Sequence, residues 1–185
     1  MKRVLAVPTV RSCPLPSEAL LNRYAGSGGY ADCYVTELPR AVTHPEFVEA
    51  FYTTAVFKLE RLLLRLFVSR PSSDLQAGQL ARGESDAFAA WSVEGRAPNQ
   101  LLLSDYAGRT RSWLMVARSA GAGPAATQLY FGSAVVPASR SRSGRAGMGP
   151  VFAALLGLHK VYSRVLLRAA RSRLSRTRAS QARGA

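Results

Sequence analysis

Side chains able to bind a metal, attack a carbonyl or carry a proton near neutral pH are few in this 185-residue chain: two cysteines, Cys13 and Cys33, and two histidines, His44 and His159. The cysteines lack a CxxC spacing and are too few for a disulfide framework, so they read as buried or idle thiols. Neither histidine has a Cys or His neighbour in sequence, so no metal site is expected. Gly26-Ser27-Gly28-Gly29 precedes a strand instead of following one, and neither a P-loop nor a Gly-x-Ser-x-Gly elbow occurs. No cofactor is expected. Glu94 and Asp105, on neighbouring predicted strands, are spaced to form a carboxylate pair or two solvated strand ends. His159 reads as the flank of an apolar helix stripe, and no catalytic residue is identified.

The aromatic and arginine side chains of the middle third suggest binding more than catalysis. Asp105-Tyr106-Ala107-Gly108 has Asp first and Gly fourth, the signature of a tight hairpin turn. The register this suggests sets Asp105 opposite Arg109. It puts Leu101, Leu103, Arg111, Trp113 and Met115 on one face. Trp91, Leu103, Asp105, Arg111, Trp113 and Met115 are then candidate ligand-binding residues. Arg111 would hold an anionic or carbonyl end of the guest. The same pattern also describes an ordinary sheet edge with a surface ion pair.

These residues depend on elements whose boundaries are readable. Residues 1–29 carry Pro8, Pro14, Pro16 and the glycine cluster, and read as an extended, loosely held arm. Tyr30 to Leu38 reads as a strand. Thr43-His44-Pro45-Glu46 has the form of a capping box with proline in the first turn. The helix after it places Phe47, Phe51, Ala55, Leu59, Leu62, Leu63 and Leu66 at helical spacing and ends near Val68, with a break expected at Thr53-Thr54. Strands follow over 88–95, 100–105, 110–118 and 127–136, with a turn at 121–124 and a flexible loop over 138–149. A closing helix starts near Pro150 with the stripe Val151, Leu155, Leu158, Tyr162, Val165 and Ala169. The reading is one α+β domain over 30–172, a curved antiparallel sheet with a long C-terminal helix across it, and a basic disordered tail over 173–185.

Net charge is +14, and all 14 basic residues beyond position 105 stand in a stretch with no acid. Arg140, Arg142, Arg145, Arg164, Arg168 and Arg171 are the candidate contacts for a polyanion, whether nucleic acid or an anionic membrane. The excess of Arg over Lys in an Ala- and Gly-rich chain equally fits compositional bias. The absence of a long apolar run and of a convincing signal peptide makes the chain read as cytoplasmic. Oligomeric state is not readable.

This order of elements resembles the helix-grip fold of the START/Bet v 1-like (SRPBCC) superfamily. The segments that carry the resemblance are Phe57-Lys58-Leu59-Glu60-Arg61, Arg109-Thr110-Arg111-Ser112-Trp113-Leu114, Tyr130 to Pro137 and Val151 to Leu156. The pattern is also similar to uncharacterised bacterial proteins of the DUF2867 type. The resemblance spans about residues 30–172 and implies a cavity between sheet and closing helix holding an apolar, aromatic or lipid-like molecule. Two other functions stand beside small-molecule binding. One is a polyanion-binding adaptor acting through the basic C-terminal region. The other is a cyclase or hydrolase using the same cavity, with Asp105, Glu94 or Tyr106 as acid or base.

Overall fold

In a computed structural model, residues 9–25, 30–58, 72–119, 126–136 and 150–181 are described. Their strands are β1 (Arg11–Ser12), β2 (Tyr30–Leu38), β3 (Ala87–Phe88), β4 (Trp91–Ala97), β5 (Gln100–Asp105), β6 (Thr110–Arg118) and β7 (Thr127–Val135). They form one open curved antiparallel sheet in the order β1-β2-β7-β6-β5-β4-β3. The first long strand thus lies beside the last, and the α+β reading holds. A bulge between Val93 and Gly95 re-aims the end of β4.

The first helix, α1 (His44–Tyr52), begins as its sequence dictates. The Thr43 hydroxyl accepts from the Glu46 amide, and Glu46 reaches back to the Thr43 N–H at 2.7 Å. It breaks at Thr53-Thr54, where both hydroxyls turn onto backbone carbonyls, of Glu49 and Phe51. The chain is helical again over residues 55–58. The expected end of this helix near Val68 and the turn at 121–124 lie outside the described residues. A second capping box, Ser73 with Gln76, opens α2 (Asp74–Arg82), and Gly83 closes it in the left-handed conformation at φ 78°.

The closing helix, α3, spans Pro150–Gln181 and so runs through part of the segment expected as a disordered tail. Its buried side chains are Ser163, Leu166, Leu167, Ala170 and Leu174, while Val161 and Val165 are exposed. The buried stripe is therefore rotated from the expected one, with Leu166 inward in place of Val165. Val151, Leu155 and Leu158 lie outside the described side chains. No helix among the described residues is long and apolar enough to cross a membrane.

Both faces of the sheet are covered. Leu101, Leu103, Leu114, Leu129 and Phe131 meet the three helices in the larger core. On the other face Leu102, Trp113, Met115 and Cys33 lie under residues of the arm, with Ala19 and Leu21 buried against them. The arm is closely held. The Leu20 N–H donates to Gln100 Oε1 at 2.9 Å, Gln100 Nε2 donates to the Glu18 carbonyl at 3.0 Å, and Trp113 Nε1 donates to the same Gln100 oxygen. Gly132 makes room for this layer, since a Cβ there would stand 2.9 Å from Leu21 Cδ2 and 3.0 Å from Trp113 Cε3.

His44, in the first turn of α1, is buried and hydrogen-bonded to the Leu114 backbone. Burial pushes its pKa down to about 4. The unfolded chain binds this proton near pH 6.5 and the folded chain does not, so stability present above pH 6.5 is lost as pH falls towards 4. The loss reaches about 3 kcal/mol for this one residue. Urea denaturation at pH 7, 5 and 4 should show His44→Gln losing that part of the acid sensitivity. Parallel pH profiles for the two proteins would contradict it.

Candidate functional site

Strand pairing builds the site. Asp32 on β2 lies opposite Ser133 on β7, and Ser133 lies opposite Ser112 on β6, so three polar side chains form a row across the helix-covered face. Next to them in register run Tyr34, Phe131 and Leu114, which are apolar core. A hollow of about 200 Å³ opens above the row, between the sheet and α3. Its aromatic walls are Phe51, Phe57, Trp91, Phe131 and Tyr162, and Leu166 adds an aliphatic side. Phe51 packs on Phe131 with ring centroids 4.8 Å apart, and the break at Thr53-Thr54 brings Phe57 within 4.8 Å of Tyr52. The Trp91 indole N–H is buried with no hydrogen-bond partner among the described residues.

One corner of the hollow is polar. Ser133 Oγ stands 2.6 Å from Asp32 Oδ1 and 2.6 Å from His159 Nε2. The Asp32 carboxylate also accepts from the Ser133 N–H at 3.2 Å and the Tyr30 hydroxyl at 3.1 Å, and it lies 3.8 Å from His159 Nε2. Burial and this neighbouring carboxylate push the Tyr30 phenol up, and Tyr34, also bonded to Asp32, rises to about 12. Ser133 has one proton for two neighbours. Asp32, acceptor to three other donors, takes it, so His159 Nε2 donates to Ser133. A serine held in this way is not poised as a nucleophile, because the histidine nitrogen facing it carries a hydrogen. What the corner offers is a fixed set of hydrogen-bonding groups at the end of an apolar slot. On the other side of the row, Tyr52 and Ser112 share a buried hydrogen bond of 3.2 Å.

Of the residues read from the sequence, Trp91 and Arg111 line this hollow, although the Arg111 guanidinium is bonded elsewhere, to Glu94 and Tyr24. The others divide differently. The pairing of β5 with β6 sets Leu102 opposite Trp113 and Ser104 opposite Arg111, one residue off the expected register. Trp113, Met115 and Arg111 therefore face the arm, away from Leu101 and Leu103. The cause is the turn: Asp105 Oδ1 accepts from the amides of both Arg109 and Thr110, at 2.6 and 2.9 Å, and Gly108 adopts φ 66°. Asp105 thus holds its own turn and does not pair with Arg109 across it. Leu103 is wholly buried in the core.

Arg111 is engaged under the arm. Its Nε is 2.5 Å from Glu94 Oε2 and donates to the Tyr24 hydroxyl at 3.0 Å, and its guanidinium lies over the Tyr24 ring. The Tyr24 hydroxyl also bonds Glu94. Glu94 is thus paired with Arg111 and not with Asp105, and Tyr106 is exposed. None of these three joins the polar corner. Among the basic candidates, Arg164 stacks over Tyr34 and Arg171 Nε donates to the Glu37 carbonyl at 2.9 Å, while Arg168 is exposed. Arg140, Arg142 and Arg145 lie outside the described residues. No cluster of His, Cys, Asp and Glu fit to hold a metal occurs among the described residues. Comparison of the chain with family models, curated proteins and solved structures returns no match.

The Arg111–Glu94 pair has side chains only 12% and 21% exposed, so removing Arg111 leaves the Glu94 charge in a poorly hydrated place with the half-exposed Arg23, 3.4 Å away, as its remaining cation among the described residues. Arg111→Met is expected to cost about 2–3 kcal/mol of stability, reduced from the value for a fully buried pair because some water reaches it. Glu94→Gln in the same chain should recover part of the loss. Unfolding curves that coincide for wild type and Arg111→Met would contradict this structural role.

Proposed function

We propose that the chain binds a small, largely apolar molecule in the hollow between the sheet and α3, with one polar group turned towards Ser133 and His159. The observation that carries this reading is the aromatic-walled slot of about 200 Å³ closed at one end by the Asp32–Ser133–His159 hydrogen bonds. Apolar walls with a few convergent polar groups are the general form of a ligand site. The volume argues for a guest of one ring in preference to a long lipid, since about 150 Å³ already accommodates benzene. A hydroxyl on that ring could donate to the remaining lone pair of Ser133 Oγ at the polar corner, and the Trp91 N–H, without a partner among the described residues, stands in the wall.

The similarity in element order to the START/Bet v 1-like superfamily supports the same reading, because it implies a guest under the closing helix. The polyanion alternative is less favoured, since Arg171 is engaged with the Glu37 carbonyl of β2.

A thermal-shift panel of benzene, phenol, benzoate, cyclohexanol and decanoate tests the proposal. Phenol should raise the melting temperature by a few degrees at saturating concentration, and benzoate, repelled by Asp32, by less. His159→Ala should shrink that shift while leaving the response to benzene in place. If no single-ring compound shifts the transition, or if decanoate alone does, the proposal fails.

A further inference from the structure

Cys13 and Cys33 lie outside the proposed ligand site, and the fold brings them together. The pairing of Arg11 with Val35 and Ser12 with Tyr34 continues one residue further, so Cys13 faces Cys33, and the Cys13 N–H donates to the Cys33 carbonyl at 3.0 Å. Hydrogen-bonded antiparallel partners have Cα atoms about 5.5 Å apart, a separation that a disulfide spans without moving the backbone. The sulfur atoms are already in contact, at 3.3 Å, with both thiols free. Cys33 is buried, but Cys13 is partly exposed at an open cleft of about 510 Å³. Lys160 and Arg164 line the same cleft and outnumber its one carboxylate, Asp32, which favours an anionic reagent there.

We propose that Cys13 and Cys33 are a reversible thiol–disulfide couple whose oxidation fastens the N-terminal arm to the edge of the sheet. The oxidant is a low-molecular-weight disulfide. The Cys13 thiolate attacks one of its sulfurs, forming a mixed disulfide and releasing one thiolate, which takes up a proton. Cys33 then gives up its proton and attacks the Cys13 sulfur, forming the intramolecular bond and expelling the second small thiol. Two electrons pass from the protein to the small disulfide, which ends as two thiols.

Geometry and charge set this order. Cys13 is the accessible sulfur. Its thiolate is favoured by a hydrogen bond from Cys33 and by the nearby Arg11 charge, so its pKa is lowered. The Cys33 thiol is pushed up by that same neighbour and by burial. Once Cys13 is in a mixed disulfide the neighbouring negative charge is gone, and Cys33 becomes the resolving thiol. The ring closed by the bond contains the 3-10 helix Leu20–Tyr24, with Leu21 seated against Gly132 and Leu20 tied to Gln100. Oxidation therefore secures the layer that covers Trp113.

The test uses the full chain incubated with oxidised glutathione, quenched with acid and alkylated with N-ethylmaleimide before intact-mass measurement. The expected product is a monomer with both thiols blocked to alkylation and no retained glutathione. Its melting temperature should rise by roughly 5–10 °C, and dithiothreitol should reverse both changes. Cys33→Ser should stop at the glutathione adduct on Cys13, with no comparable rise. Two thiols that stay alkylatable, a wild-type adduct that does not resolve, or a bond formed between two molecules would overturn the proposal.

Discussion

The pairing of β2 with β7 is the constraint on which the rest of the molecule depends. Nine residues of each strand match without interruption, from Tyr30 with Val135 to Leu38 with Thr127. These partners lie about a hundred residues apart, so the pairing forms only by closing a long loop, at a cost in chain entropy that local turns do not carry. Once it exists, Asp32 meets Ser133, Tyr34 meets Phe131, and β2 becomes the seat for both the arm strand and the closing helix. Arg171 and Arg164 of α3 then meet β2, at the Glu37 carbonyl and the Tyr34 ring.

The sheet produced this way has two apolar faces and needs two covers. Helices supply one, through a close-packed core of leucine and aromatic side chains. The arm supplies the other with few residues, and polar anchoring compensates for its thinness. Gln100 satisfies the arm backbone and the Trp113 indole at once, and the Tyr24–Glu94–Arg111 group secures the arm's far end. The two faces therefore divide the work. Charged groups on the arm face are consumed by structure, whereas the helix face retains a hollow with hydrogen-bonding groups at one corner.

Sequence made the local elements legible because their signals are local. The capping box at Thr43, the break at Thr53-Thr54 and the boundaries of four strands all follow from short-range chemistry, whereas the strand expected over 88–95 is divided into Ala87–Phe88 and Trp91–Ala97. The site was less legible, for two physical reasons. A turn held by the Asp105 carboxylate shifts the β5–β6 register by one residue, and one residue reverses every side chain. Trp113, Met115 and Arg111 consequently changed faces. The Asp32–Ser133–His159 corner joins three segments distant in sequence, and its only hint was Asp32, one of two carboxylates in the strand Tyr30–Leu38. The arm was hard to read because proline-rich sequence signals irregular backbone and not whether that backbone is packed. In this chain Leu21 and Ala19 are buried.

The account turns on which face of the sheet receives the guest, and the two tryptophans lie on opposite faces, Trp91 at the hollow and Trp113 beneath the arm. Titration with 4-bromophenol, a contact quencher of indole emission, reads this directly in the two single-tryptophan variants. Quenching that saturates when only Trp91 remains (Trp113→Phe), and is weak and linear when only Trp113 remains (Trp91→Phe), is the predicted result. Saturable quenching of Trp113, or equal unsaturable quenching of both, would contradict it.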